Sequence, residues 1–459
     1  MKKEKLKNER TKDVGAWENW SYALSGFGVN ALFGMQMMYL LIYFTDVFGI
    51  SAATAGIIFL IARVWDAVND PIMGTIVDKT KTKWGKCRPY MIFGSIALAI
   101  SFVLMFSGPT SLGPTGKVIY AGVTYILFGM MFTMVDIPAN AIISRMTQNP
   151  QERANVTTFR RVIANVGMLL GVGAIGFVPL LGRGNDSRGY ALTAIVIGVI
   201  SSLLILTAGI STKERVKSEQ KHDFSTKDLF KTIRVNTPLM ILVSVFLVNQ
   251  LAMSIKTATT AYYFTYNIGR EDLTAIVGVI SLLATILGTA IIPLLLKKFG
   301  KIKSIVIGLF IIAISSVGLY FTSYANITMI MVWFIINSLA AAFGLGLPYI
   351  MIIDTVEYGE WKTGKRTEGL VFSMLTFSMK LASAMGGAIL GFLLTYTGYV
   401  PNTEQTPLAL KGILVSITVI PVIVAIIGII LMKFYKLDEK MYQMIINELE
   451  KRKKSEEIC

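Results

Sequence analysis

Histidine and cysteine are nearly absent from this chain of 459 residues. The only histidine is His222, in a charged stretch, and the two cysteines are Cys87, in a basic loop, and Cys459, the last residue. This pair predicts no structural disulfide. One histidine, outside the apolar segments, argues against histidine-based catalysis and most transition-metal sites. No serine or cysteine nucleophile has an available histidine and no H-E-x-x-H motif occurs, so we do not expect an enzyme or a cofactor.

Charged residues are also scarce. They make up 16% of the chain, whereas 54% is hydrophobic and the mean hydropathy is +0.61. A soluble protein has about a quarter of its residues charged. The composition therefore predicts an all-α membrane protein that crosses the bilayer many times. We expect no cleavable signal peptide, because the apolar run after the basic start is too long for a signal core.

Long apolar stretches recur along the whole chain. A membrane-spanning helix needs about 20 mostly apolar residues. Twelve stretches meet this requirement, at 20–47, 52–77, 90–108, 117–146, 155–181, 189–211, 237–267, 272–296, 304–323, 326–353, 369–398 and 410–434.

The net charge of +16 is concentrated in alternate loops. Lysine and arginine crowd the N-terminus, the tail and the loops at 79–88, 212–236, 297–303 and 362–366, whereas the loops at 109–116 and 400–407 have neither. The positive-inside rule then predicts an even number of spans with both termini cytoplasmic. This distribution indicates a plasma-membrane topology with the lipid bilayer as partner, and no nucleic acid.

The longest internal polar stretch, 212–236, divides the predicted spans six and six. Two six-helix bundles joined by such a linker form the major facilitator architecture, in which substrates bind near the bilayer midplane. The predicted domains are therefore a bundle at 1–211, the cytoplasmic linker at 212–236, a bundle at 237–435 and a cytoplasmic tail at 436–459.

Two polar segments carry helical patterns of their own. KDLFKTIRVN in the linker predicts a short surface helix, and Met441, Ile445 and Leu449 recur at helical spacing in the tail. We interpret both segments as solvated amphipathic edges.

The motif WDAVNDP places like charges inside an apolar span. Asp66 and Asp70 lie one helical turn apart, with Asn69 beside them and Arg63 just upstream. A charge at the helix centre costs about 2.5–3.5 kcal/mol on insertion scales. Protonation, a basic partner such as Arg63, or a bound cation would each lower this cost. Carboxylate and carbonyl oxygens suit a hard cation, so a Na⁺ or H⁺ site and a structural ion pair both stay open.

Further polar residues interrupt the other apolar spans. They are Asn30, Thr133, Asp136, Arg160, Arg161, Lys256, Thr376 and Lys380. Intramembrane ionisable groups usually face a bundle interior or wet cavity and partner one another. Asp136 and Lys380 come from opposite halves, so they are candidates for pairing across a cavity, with a locking salt bridge as the alternative.

Several long motifs resemble one known family. WDAVNDPIMGTIVDKTKTKWGKCRPY, FTMVDIP, TTFRRV, IDTVEYGEWKTGKRTEG and FSMKLASA are similar to the signatures of the glycoside–pentoside–hexuronide:cation symporters. The resemblance extends from Ser21 to Tyr399 and implies coupled entry of Na⁺, Li⁺ or H⁺ with a sugar or glycoside.

The resemblance also implies two sets of site residues. The cation site falls on Asp66, Asn69, Asp70 and Thr133, and the sugar-contacting residues fall on Asn30, Asp136, Asn140, Arg160, Thr376 and Lys380. The chain departs from melibiose permease, which has a Lys-Asp pair at Val29-Asn30 and a tryptophan at Asn140. An asparagine at position 30 is more similar to the pentoside or hexuronide branches of the family. Lys256 has no counterpart there; it is either a contact for an acidic substrate group or a snorkelling or glutamate-paired lysine.

The sequence therefore predicts a secondary active symporter that couples entry of Na⁺, H⁺ or Li⁺ to uptake of a sugar or glycoside, with pentosides and hexuronides as candidate classes. The alternatives are a carrier of another amphipathic solute, such as a lysophospholipid, and a non-transporting sugar sensor that signals through the tail.

Overall fold

The computed structural model describes residues 14–147, 149–215, 235–364 and 368–456. Over these residues the protein is all-α, as predicted. Twelve long helices follow one another: α1 Ala16–Ile42, α2 Ala52–Lys79, α3 Arg88–Met105, α4 Pro114–Ala141, α5 Pro150–Val172, α6 Asp186–Ser211, α7 Thr237–Tyr262, α8 Leu273–Phe321, α9 Ile327–Thr363, α10 Glu368–Tyr396, α11 Pro407–Lys433 and α12 Glu439–Glu456. Short helical segments extend four of them, at Tyr43–Val47, Ile143–Met146, Gly173–Gly176, Phe177–Gly182 and Tyr263–Ile268.

Eleven helices within the described ranges are long and apolar enough to cross a membrane. The eighth, α8, has 49 residues, or about 73 Å at the usual rise, more than twice the roughly 30 Å of a hydrocarbon core. It bends at Gly300, whose φ of 74° and ψ of 175° are not helical. A side chain at this positive φ would be strained, so glycine permits the turn. The bend separates two spans, which confirms the prediction of twelve.

Short polar side chains begin several of these helices. Asn185 accepts a hydrogen bond from the Arg188 N–H at the start of α6, and Thr406 does the same for the Ala409 N–H at the start of α11. Such caps satisfy backbone donors that the first helical turn leaves without partners. Inside a bilayer the remaining backbone groups have no water to bond, which is why the apolar segments become continuous helices.

The described chain forms two compact units. The first comprises Met1–Ile50 with Val64–Gln220, and the second comprises Ser51–Arg63 with Lys221–Cys459. The first residues of α2 group with the second unit because they pack on α10: the Ala53 N–H donates to Thr395 Oγ1 at 3.0 Å. The predicted domain boundaries at 211 and 236 stay a prediction, and the linker helix and His222 lie outside the described residues.

The start of the linker is attached to the first unit. The Glu214 carboxylate accepts the backbone N–H groups of Lys86, Cys87 and Arg88 at the beginning of α3, at 2.7–3.2 Å. The next residue, Arg215, pairs with Glu18 of α1 at 2.6 Å. These contacts fasten residues 212–215 to the ends of two other helices.

The tail forms helix α12, as the spacing of its apolar residues predicts. The interpretation of the tail as a solvated edge is wrong, because Ile445 and Leu449 are 0% and 8% exposed in a hydrophobic cluster with Val356 of α9. Polar contacts flank this cluster: the Trp361 indole N–H donates to Glu448, and Lys301 lies 3.7 Å from Glu439.

We expect Ile445→Ser to destabilise the second unit, because it removes a buried apolar side chain from the α12–α9 contact. The cost of such truncations is about 2–4 kcal/mol. Met444→Ser is the matched control, since Met444 is the neighbouring residue and is 44% exposed. Thermal unfolding of the detergent-solubilised protein measures both, and equal midpoints for the two variants would contradict the packing described for α12.

Candidate functional site

The residues predicted to bind a cation lie on facing surfaces of α2 and α4. Asp66 is 6% exposed, and Asn69 and Asp70 are half-buried. The Thr133 hydroxyl of α4 donates to Asp70 Oδ1 at 2.9 Å. The amide nitrogen of Asn69 is buried and makes no hydrogen bond to another described residue. The first unit thus brings Asp70 and Thr133 into contact and places Asp66 against the same helix, with Asn69 on the same turn of α2 as the two carboxylates.

A glycine of α4 leaves room for the Asp66 side chain. Gly129 of α4 lies beside Asp66, and a Cβ at Gly129 would stand 2.8 Å from Asp66 Oδ1. Gly129 precedes Thr133 by one helical turn, so both residues lie on the face of α4 that meets α2. Helix α4 therefore offers a hydrogen-bond donor to Asp70, from Thr133, and space for the carboxylate of Asp66, at Gly129. Within the described ranges, no group of three or more His, Cys, Asp or Glu residues is arranged to hold a metal ion.

A second polar cluster lies further along α4. Arg160 of α5 donates from Nη1 to Asn140 Oδ1 at 2.7 Å and from Nε to Ser25 Oγ at 3.5 Å. The Asp136 carboxylate lies one helical turn before Asn140, close enough to Asn140 and Arg160 to be stabilised electrostatically by both. The guanidinium lies 5.1 Å from the centre of the Tyr22 ring, in a cation–π contact. Asp136, Asn140 and Arg160 therefore form one connected network.

Asn30 lies at the edge of this cluster. Its side-chain amide donates to the Gly26 carbonyl of its own helix at 2.9 Å. Gly26 in turn packs against Arg160, whose Cγ would stand 3.0 Å from a Cβ at that position. The amide oxygen of Asn30 is not used in the bond to Gly26.

Thr376 and Lys380 belong to the second unit, one turn apart on α10. Thr376 is exposed and Lys380 is half-buried. Their roles in sugar binding, the pairing of Lys380 with Asp136, and the ion pair suggested for Arg63 stay predictions. Lys256 is half-buried on α7 and donates to Asn337 Oδ1 at 2.6 Å. No ion pair joins Lys256 to a carboxylate of the described residues. Its role, as a contact for an acidic substrate group or as a snorkelling or glutamate-paired lysine, stays a prediction.

Sequence reasoning misses Tyr22, Ser25 and Gly129. Tyr22 and Ser25 lie at helical spacing in SYALSGFG, a segment that marks only the beginning of the resemblance. The sequence feature that could have indicated them is an aromatic residue and a hydroxyl one turn apart in a stretch of mostly small residues. Gly129 has no signal, because close approach to a carboxylate from another helix is a tertiary property.

Comparison with known proteins identifies the class. A family model described as MFS/sugar transport protein matches residues 21–439. The chain therefore belongs to this family of membrane transporters, which confirms the resemblance to the glycoside–pentoside–hexuronide:cation symporters.

Individual relatives agree with this assignment. The chain is 39% identical over 456 residues to an uncharacterized symporter, YnaJ, of Bacillus subtilis (strain 168), covering 97% of each chain. It is 35% identical to the isoprimeverose transporter of Lactiplantibacillus pentosus, covering 96% of this chain and 93% of that one. The crystal structure of the nucleoside transporter NupG matches with a TM-score of 0.66 and 12% identity, over 91% of this chain and 99% of that one, which supports the fold alone.

We expect Gly129→Ala to lower the thermal stability of the protein, because the added methyl group displaces the Asp66 carboxylate from a buried position. The cost lies at the low end of the about 1–3 kcal/mol typical of overpacking, because the crowded atom, Asp66 Oδ1, is the end of a side chain that can rotate away. Gly122→Ala is the matched control, since Gly122 lies two turns earlier on α4 with nothing within 4 Å of its Cβ position. If both variants unfold at the wild-type temperature in detergent, the close approach at Gly129 is contradicted.

Proposed function

We propose that this protein is a secondary active symporter that couples entry of Na⁺, H⁺ or Li⁺ to uptake of a sugar or glycoside by alternating access. It works in the plasma membrane with both termini in the cytoplasm. The observation that carries the proposal is that α4 takes part in two polar networks. Thr133 meets the carboxylate pair, and Asp136 and Asn140 belong to the network of Arg160.

The first network has the chemistry of a monovalent cation site. Its donor set is two carboxylates, an amide and a hydroxyl, all oxygen-bearing groups that hard cations favour. Without a cation, the like charges of Asp66 and Asp70 repel each other in a medium of low polarity. A bound Na⁺ or Li⁺, or a proton on one carboxylate, cancels this repulsion and draws α2 and α4 together.

The second network has the chemistry of a sugar site. Sugar hydroxyls both donate and accept, and Asp136, Asn140 and Arg160 offer acceptors and donors side by side. A planar guanidinium also holds two neighbouring oxygens at once. The similarity to an isoprimeverose transporter supports a sugar or glycoside as the solute, and Asn30 supports the pentoside and hexuronide classes.

Helix α4 links the two sites. Thr133 and Asp136 are three residues apart, about 4.5 Å along the helix axis. A cation that fixes Thr133 against Asp70 therefore also fixes the position of Asp136 and Asn140. Such coupling is reciprocal, so the sugar tightens cation binding by the same factor as the cation tightens sugar binding.

Proteoliposomes with an imposed cation gradient test this function. Wild-type protein should accumulate a radiolabelled glycoside against its concentration gradient when Na⁺, Li⁺ or H⁺ is applied outside. Asp70→Cys should abolish accumulation while exchange of sugar across the membrane survives, because the carboxylate that holds the driving cation is lost.

Asp272→Cys is the control for this variant. Asp272 is exposed outside the spans, and its pKa is lowered by the hydrogen bond from Arg270, so the substitution removes a charge without touching the site. Accumulation by Asp70→Cys at the wild-type level would overturn cation coupling at this site. Uptake of a lysophospholipid but of no glycoside would favour the carrier of another amphipathic solute. Binding of a glycoside without uptake would favour the sugar sensor.

Protection from alkylation tests where the sugar binds. We expect a transported glycoside to slow the reaction of Asn140→Cys with N-ethylmaleimide, since Asn140 is exposed and hydrogen-bonded to Arg160. The background carries Cys459→Ser, and native Cys87 is 0% exposed. Ser323→Cys, exposed between α8 and α9, should react at the same rate with and without the glycoside. If the glycoside leaves the alkylation rate of Asn140→Cys unchanged, as it should for Ser323→Cys, the sugar binds elsewhere.

A further inference from the structure

An ammonium group is built into the second unit near the middle of a membrane span. Lys256 lies on α7, within the apolar segment Thr237–Ile268. Charged side chains at this depth are costly, and they are usually paired or face a path for ions or solutes. A lysine at this position therefore needs a group that compensates its charge.

The hydrogen-bond acceptor of Lys256 is neutral and held in one orientation. Its Nζ donates to Asn337 Oδ1 at 2.6 Å. The Asn337 amide nitrogen donates to Ser315 Oγ at 2.9 Å and to Ser316 Oγ at 3.1 Å. The Ser315 hydroxyl uses its own proton on the Ile312 carbonyl, so it can only accept from Asn337. A flipped amide would lose the bond to Ser315 and would turn its own N–H groups toward the ammonium, and therefore the Asn337 oxygen stays on the ammonium.

The other contact of the ammonium is an aromatic face. Lys256 Nζ lies 4.9 Å from the centre of the Phe334 ring. A cation–π contact and one amide oxygen stabilise a positive charge, but neither cancels it. An ammonium has three donors, and the described residues accept only one of them in a hydrogen bond. At least one donor is left without a hydrogen-bond acceptor among the described residues.

We propose that Lys256 recognises an anionic oxygen group on the transported sugar, a carboxylate or a sulfonate, and so determines the substrate class. The inference rests on the proposed function, since it assigns a solute to the same transporter. An oxyanion would complete the coordination of the ammonium and supply the missing negative charge in one contact. Asn337 acts as a positioning residue, because it fixes the ammonium without carrying charge.

The neutrality of Asn337 is the feature that favours a ligand over a structural role. A lysine that only stabilises the bundle is best served by a carboxylate from the protein, as Lys301 is by Asp354 at 2.7 Å in the same unit. At Lys256 the chain instead provides an amide in hydrogen-bonding contact, with two serines that lock it. The site is therefore prepared for a charge that arrives and leaves with each transport cycle.

A matched series of glycosides tests the proposal by exchange in proteoliposomes, which needs no cation gradient. Methyl β-glucoside carries CH₂OH at C6, methyl β-glucuronide a carboxylate, the 6-sulfonate analogue a sulfonate, and methyl β-xyloside nothing. Wild-type protein should prefer at least one of the two anions over the glucoside by about tenfold or more, as expected for a charge-assisted hydrogen bond. The preferred anion shows whether the transported sugar carries a carboxylate or a sulfonate.

Variants then assign the preference to Lys256. The ratio of anion to glucoside exchange should fall about tenfold in Lys256→Met and stay within about threefold of wild type in Lys256→Arg. Asn337→Asp should lower the ratio as well, although the lysine is kept, because a carboxylate of the protein then occupies the ammonium. A merely structural lysine predicts the opposite for Asn337→Asp: a raised thermal midpoint and an unchanged ratio.

The outcomes separate this inference from the proposed function. Exchange of neutral and anionic glycosides at equal rates by wild-type protein, or an unchanged ratio in Lys256→Met or Asn337→Asp, would overturn the assignment while leaving cation-driven uptake intact. If Lys256→Met does not fold, Asn337→Asp alone decides. Absence of any glycoside exchange would overturn the proposed function as well.

Discussion

The placement of the Asp66 and Asp70 side chains against α4 is the constraint on which the candidate cation site depends. Two carboxylates on one turn of α2 are unfavourable in an apolar medium unless neighbouring groups receive them. Helix α4 does so with a hydroxyl at Thr133 and an empty position at Gly129. The same helix then continues to Asp136 and to Asn140, which accepts a hydrogen bond from Arg160. One continuous helix thus carries residues of both polar networks, with no loop between them.

Much of the fold follows from the sequence because a bilayer restricts what a chain can do. Apolar stretches of sufficient length become helices when no water is available to their backbone groups, and the alternation of basic loops orders them. The one difference in the helix count, α8, arises where the connection is so short that Gly300 turns the chain within a nearly continuous helix. The tail is harder to interpret: its helical spacing is visible, but burial of Ile445 against α9 depends on a distant surface.

The site shows the same division between local and tertiary information. Asp66, Asn69 and Asp70 share one helical turn, so their proximity can be predicted from spacing alone. That Thr133 reaches Asp70 follows from the family resemblance, since the two residues are 63 positions apart. The roles of Gly129, Tyr22 and Asn337 are not predictable, because each acts through a partner on another helix.

The attachment of residues 212–215 has a mechanical meaning. Glu214 holds the first backbone N–H groups of α3, and Arg215 holds Glu18 near the start of α1. Tension on the linker is thus not borne solely by the last turn of α6, from which it emerges. The hydrogen bonds of Glu214 and the ion pair of Arg215 pass it on to the first turn of α3 and to α1, so three helices of the first unit share the load.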